Sequence, residues 1–159
     1  MLLTRSPFDL ETLGRNVFEE FWVAHPQGPL HFHADGDLTG DWDAARLRQV
    51  ISNLLGNALQ QGTAQGPGEL AISAEDSTIV LKVHNGGPPL LVERLTTIFE
   101  PLMRYAKPET AEQKVSNSIG LGLCNTRAVV VAHGGTITVA STAEEGTLCT
   151  VRLPRTAPD

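Results

Sequence analysis

Four side-chain amides recur at helical spacing within the stretch Arg46–Gln61: Gln49, Asn53, Asn57 and Gln60. At about 100° per residue they form a polar stripe beside an apolar face. Asparagine is a poor helix former, and its amide seeks a partner. Two readings are open for such a stripe. One is a solvated helix flank, its commoner fate. The other is a set of amide oxygens facing a cavity, able to hold a hard cation such as Mg2+ alongside phosphate oxygens and water.

A second pattern is Gly120-Leu121-Gly122-Leu123, which opens a helical stretch. Glycines at a helix N-terminus let backbone N–H groups and the helix dipole meet an anion. Alone, such a pair is equally an ordinary helix start. Here it follows Met103–Ser118, a segment of little apolar content that carries Lys107 and Lys114, and that segment follows Phe99-Glu100-Pro101-Leu102-Met103-Arg104. Long connections of this kind are functional lids or disordered, and the three pieces together read as a phosphate cradle with a lid.

The histidines offer less. His31 and His33 share one face of a short strand and could bind a metal, but the sequence shows no third ligand, and a packed or exposed pair is the commoner fate. His84 stands at a strand end beside Asn85. His133 precedes Gly134-Gly135 and suits a structural role, and His25 precedes a proline in a loop.

These residues need elements to position them. Asp9 followed by Leu10, Leu13, Val17, Phe18 and Phe21 predicts a capped amphipathic helix to about Ala24. Leu30–Ala34 alternates as a short strand, and Gly36–Gly40 reads as a turn-rich link. Asp41 or Asp43 can cap the main helix, whose apolar face is Leu47, Val50, Ile51, Leu54, Leu55, Ala58 and Leu59, and which ends near Gln61-Gly62. Glu69–Ala74 and Thr78–His84 alternate as a hairpin-like pair of strands. Leu90–Phe99 suggests a short helix, Leu121–Ala132 a longer one stopped by Gly134-Gly135, and Thr136–Ser141 and Thr147–Leu153 a second strand pair. Helices interleaved with paired strands imply an α/β or α+β sandwich, a sheet with helices on one face.

Composition bounds the function classes. The 159 residues suit one domain with a real core, and 41% hydrophobic content is that of a folded chain. The longest all-apolar run, Ala128–Ala132, is far short of a membrane span, and Met1–Leu10, with Arg5, Pro7 and Asp9, is no secretory signal. A net charge of −6 argues against nucleic acid or an anionic membrane as partner. Cys124 and Cys149, far apart, make neither a disulfide framework nor a zinc motif, which favours a reducing, cytoplasmic home.

Five segments in order, RLRQVISNLLGNALQQG, VHNGGPPL, IFEPLMR, IGLGLCNTRAVVVAHGGTITVAS and EEGTLCTVRLP, resemble the catalytic, ATP-binding domain of two-component sensor histidine kinases, within the gyrase, Hsp90, histidine kinase and MutL ATPase superfamily. The match covers about residues 9–155, and VHNGGPPL looks like kinases of the bacteriophytochrome type. The resemblance implies an α/β two-layer sandwich (the Bergerat-type ATP-binding fold) with a mixed sheet, helices packed on one face and a mobile ATP lid, expected over Ala106–Asn117. It implies Asn57 as the Mg2+ ligand, with Asn53 one turn earlier on the same cavity wall, and Gly87 in the loop beneath adenine. Phe99 and Arg104 fall on the Phe-box, with Arg104 near the terminal phosphate and, like Asn57, catalytic. Gly120 and Gly122, with Leu121 and Leu123 between and after them, fall on the second glycine box, and Thr147 on the strand threonine near adenine. Lys107 and Lys114 join the nucleotide site as lid cations or stand as solvated charges.

The sequence departs from the family pattern at several of these points. Most members carry an Asp for the adenine amino group; this chain has Asn85, which can both accept from adenine N6 and donate to N1 but gives up the charge-assisted bond. Pro89 replaces a loop glycine, Ser118 the first glycine of the second box, and Gln60 a phosphate-binding lysine. Asn53 stands where the ATP-hydrolysing relatives have a general-base Glu and cannot take a proton, so fast hydrolysis is not expected. The resemblance thus implies an enzyme that binds ATP-Mg2+ and transfers the γ-phosphoryl group to a histidine on a separate dimerisation and phosphoacceptor domain, with a response regulator as indirect partner and neither nucleic acid nor a membrane segment involved. The alternatives are a degenerate nucleotide-binding regulatory module and a protein serine kinase of the anti-sigma type. On this reading residues 1–8 are a connector from the missing domain, 9–155 the catalytic domain and 156–159 a tail.

Overall fold

The computed structural model describes residues 2–24, 30–61, 68–85, 125–142 and 146–156, apart from the side chains of residues 57, 59–61, 141 and 142. In chain order the elements are β1 (Ser6–Asp9), α1 (Leu10–Ala24), β2 (Leu30–Asp35), β3 (Thr39–Trp42), α2 (Ala44–Gln61), β4 (Gly68–Glu75), β5 (Thr78–Asn85), a helix α3 described over 125–132, β6 (Thr136–Thr142) and β7 (Gly146–Pro154).

The helices begin and end where local chemistry dictates. Asp9 caps α1, its Oδ1 accepting the Glu11 N–H at 2.9 Å. Asp43, not Asp41, caps α2: its Oδ1 accepts the Arg46 N–H at 3.1 Å. The C-terminus of α3 closes as a Schellman motif, with Gly135 N–H bonded to the Val130 carbonyl and Gly134 N–H to that of Val131, both at 2.9 Å. Gly134 takes φ +80°, where a side chain would be strained.

Five strands form one mixed sheet in the order β2-β4-β5-β7-β6, in which β2 and β4 run parallel and the other neighbours antiparallel. The inward residues of β4 and β5, among them Leu70, Ile72, Ile79, Leu81 and Val83, meet the apolar stripe of α2, where Leu47, Val50, Ile51, Leu54, Leu55 and Ala58 are all buried. Helix α1 joins this layer through Leu10, Gly14 and Val17; a Cβ on Gly14 would stand 2.7 Å from Ile72 Cδ1, so glycine there permits the close approach. The predicted two-layer sandwich with helices on one face is the observed architecture.

One two-stranded ribbon, β1 with β3, escapes the sequence reading. Gly36–Gly40, read as a link, gives way at Thr39 to β3, which pairs antiparallel with β1 from Ser6↔Trp42 to Asp9↔Thr39. These are four-residue strands paired across about 30 positions, and no local pattern announces such a match. Trp42, fully buried, anchors the ribbon: its Nε1 donates to the Pro154 carbonyl at 2.8 Å, and Phe8 meets its ring edge-on at 5.5 Å.

Candidate functional site

Strand β5 ends at Asn85, and the register sets Asn85 opposite Thr147 near the start of β7 and opposite Gly68 at the start of β4. The alternation that turns His84 outward turns Asn85 toward the helical layer. Asn85 is 4% exposed and Thr147 9%. The Nδ2 of Asn85 has no hydrogen-bond partner, the one buried side-chain atom so placed among the described residues. An unpaired buried donor costs about 1–3 kcal/mol, so the position favours a ligand that brings an acceptor.

A second polar pair lies between α2 and α3. Asn53, half-buried, donates its Nδ2 to the hydroxyl of Thr126 at 3.4 Å, and Thr126 is fully buried. Thr126 was not singled out in the sequence, because nothing local marks a threonine 73 positions away as the partner of Asn53. The predicted site residues Asn85 and Thr147 are thus brought together by the sheet, while Asn53 stands on the helix that packs across β4 and β5. Asn57 lies one turn further along α2, with its side chain outside the description. Gly87, Phe99, Arg104, Lys107, Lys114, Gly120, Leu121, Gly122 and Leu123 lie outside the described residues, as do Pro89, Ser118, the expected helix Leu90–Phe99 and the expected lid.

His133 has the structural role its position suggested. It is completely buried, its Nε2 accepts the Asp43 N–H at 3.1 Å, and its Nδ1 bonds to the Val129 carbonyl at 2.8 Å. Burial holds its pKa below the ordinary 6.5. Cys149 belongs to the core wall, and burial pushes its thiol up to about 12, far from a reactive thiolate. Among the described residues no three His, Cys, Asp or Glu side chains stand together as a metal site, and no helix is long and apolar enough to cross a membrane.

A family model described as "Histidine kinase-, DNA gyrase B-, and HSP90-like ATPase" matches residues 42–157. The probable sensor histidine kinase TcrY of Mycobacterium tuberculosis is 38% identical over 160 aligned residues, which cover 96% of this chain and 31% of that protein. The chain therefore spans about a third of that relative. Among solved structures, the nucleotide-free catalytic domain of histidine kinase ThkA superposes with a TM-score of 0.82 at 25% identity, covering 98% of this chain and 100% of that one. Full-length ShkA in complex with AMPPNP superposes at 0.80 with 26% identity, covering 99% of this chain and 32% of that one.

Proposed function

The chain belongs to the family of histidine kinase-, DNA gyrase B- and HSP90-like ATPases, and from that premise we propose that it binds ATP with Mg2+ and passes the γ-phosphoryl group to a histidine on a separate dimerisation and phosphoacceptor domain, in two-component signalling in the cytoplasm. A response regulator is then the indirect partner. The observation that carries the nucleotide reading is the buried, unpartnered Nδ2 of Asn85, set across the strands from Thr147. An adenine edge offers what that amide lacks: N1 accepts from Nδ2, while Oδ1 accepts from the N6 amino group. The analogue in the ShkA structure, a nucleotide on the same fold, supports the same reading.

The remaining roles follow the motif positions. Asn57 holds Mg2+, with Asn53 beside it on α2. Gly87 passes beneath the base and Phe99 closes the pocket. Arg104 is set at the terminal phosphate, and Lys107 and Lys114 add lid charge. The backbone N–H groups of Gly120, Leu121, Gly122 and Leu123 receive phosphate oxygens at a helix start. Bound Mg2+ supplies neutralisation of phosphate charge. The chain's own part is positioning and electrostatics. Asn53, already donating to Thr126, has no proton-accepting group for water, so the γ-phosphoryl group awaits another nucleophile.

The test mixes this chain with a cognate histidine-bearing domain and γ-labelled ATP. Label on that histidine, together with calorimetric binding of a non-hydrolysable ATP analogue, is the expected result. Tight nucleotide binding without histidine label would favour a regulatory module, and no nucleotide binding would exclude kinase chemistry altogether.

A further inference from the structure

On the inner face of the sheet, Asn85 has Gly68, which lacks a side chain, and Thr147 across the strands from it. The next residue back on that face is Val83, flanked by Leu70 and Cys149. These three are buried, and none of the five neighbours is charged. The Nδ2 of Asn85 is buried with no protein acceptor, so no bond to Nδ2 dictates which end of the amide, donor or acceptor, meets a ligand. We propose, resting on the nucleotide reading above, that the same site also takes nucleotides of a 6-oxopurine base, of which hypoxanthine is the simplest, and that Asn85 is the residue that relaxes the choice of base.

Adenine presents an N6 amino donor beside the N1 acceptor. A 6-oxopurine presents the reverse order, an O6 acceptor beside an N1–H donor. A side-chain amide carries one donor end and one acceptor end. Turned one way, Asn85 gives Oδ1 to N6 and Nδ2 to N1. After a half-rotation about its last side-chain bond it gives Nδ2 to O6 and Oδ1 to N1–H. Either arrangement pairs the buried Nδ2 and so relieves the cost of leaving that donor unmade. A carboxylate at this position behaves differently. It has acceptors only, so it takes the N6 amino group but meets O6 with negative charge against a negative dipole end. Aspartate here selects adenine, and asparagine removes that selection. Thr147, across the strand, does not restore it, because a hydroxyl both donates and accepts.

The probes are ADP and inosine diphosphate, each with Mg2+, which differ only in the hydrogen-bonding edge of the base. Calorimetric titration of the parent chain should give dissociation constants within about tenfold of each other. Asn85→Asp should keep ADP binding and weaken inosine diphosphate, so that the ratio between them widens by about tenfold or more. A purely structural role for Asn85 would move both nucleotides together and leave that ratio alone. A parent that binds ADP but holds inosine diphosphate more than about tenfold more weakly overturns the proposal, and needs no variant to do so. An Asn85→Asp variant that folds, binds ADP and leaves the ratio unchanged also overturns it. A parent that binds neither nucleotide overturns the nucleotide reading itself, and the present inference with it.

Discussion

His133 and Asp43 lock the C-terminal end of α3 to the start of α2: the imidazole Nε2 accepts the Asp43 backbone N–H at 3.1 Å inside a fully buried environment. The same Asp43 spends its carboxylate on two further backbone donors, Thr4 at 2.9 Å and Arg46 at 3.1 Å. One residue thereby ties the N-terminal segment, the α2 cap and α3 together.

This lock makes stability pH-dependent in a stated direction. Burial depresses the native pKa of His133 below 6.5, so the unfolded chain binds its proton first as pH falls. Unfolding free energy should be undiminished by His133 above pH 6.5 and decline from there toward its lower native value. Asp43 adds a second, more acidic window. Its pKa is lowered chiefly by the Thr4 N–H, so the stability it contributes is present above the ordinary 3.8 and lost as pH falls through the native value. Urea unfolding across pH 4–8 checks the His133 window: His133→Gln should flatten the slope just below pH 6.5. His133→Ala, which strands the Asp43 N–H, should cost about 1–3 kcal/mol at pH 7.5.

At Asn85, binding and stability should separate. Asn85→Leu removes the unpaired Nδ2, so the nucleotide-free Tm should hold or rise. Adenine binding should weaken at least tenfold, corresponding to about 1.4 kcal/mol. Asn85→Asp should bind as well as the parent or better, because it restores a charge-assisted acceptor. Calorimetry with a non-hydrolysable analogue, run beside a thermal melt, reads both quantities; an Asn85→Ala variant that binds like the parent would sink the adenine pairing.

Cys149 should be chemically silent in the native state. Its thiol is buried between Val83 and Val139 in the register and has its pKa raised to about 12. In a Cys124→Ser background, a thiol-reactive chromophore should label no cysteine in buffer and one in denaturant. Rapid native labelling would place the β5–β7–β6 junction open to solvent.

Trp42 should reveal the worth of the β1–β3 ribbon. Trp42→Phe removes the bond to the Pro154 carbonyl and part of a fully buried ring. The expected cost is about 1–3 kcal/mol by denaturant unfolding, with earlier hydrogen exchange in Ser6–Asp9 than in α2.

Much of this architecture was legible locally. The Asp9 cap, the apolar stripe of α2, the Gly134 stop and the alternation of β4 through β7 are patterns of period 3.6 or 2, or single-residue capping chemistry, and each is complete within a few neighbours. The order of five motifs was enough to indicate the family, and a fold of helices over one sheet face followed from it.

The pairings between distant residues were decided by the tertiary structure. Asp41 and Asp43 are equivalent caps on paper; only the backbone donors of Thr4 and Arg46, with His133 behind them, select Asp43. Asn53 carried an amide in search of a partner, and the packing of α3 on α2 assigned Thr126 to it. Nothing in the sequence shows that the Nδ2 of Asn85 is left unpaired. Periodicity tells which face a side chain occupies, whereas register and packing, set by the whole chain's burial of its core, tell what it meets there.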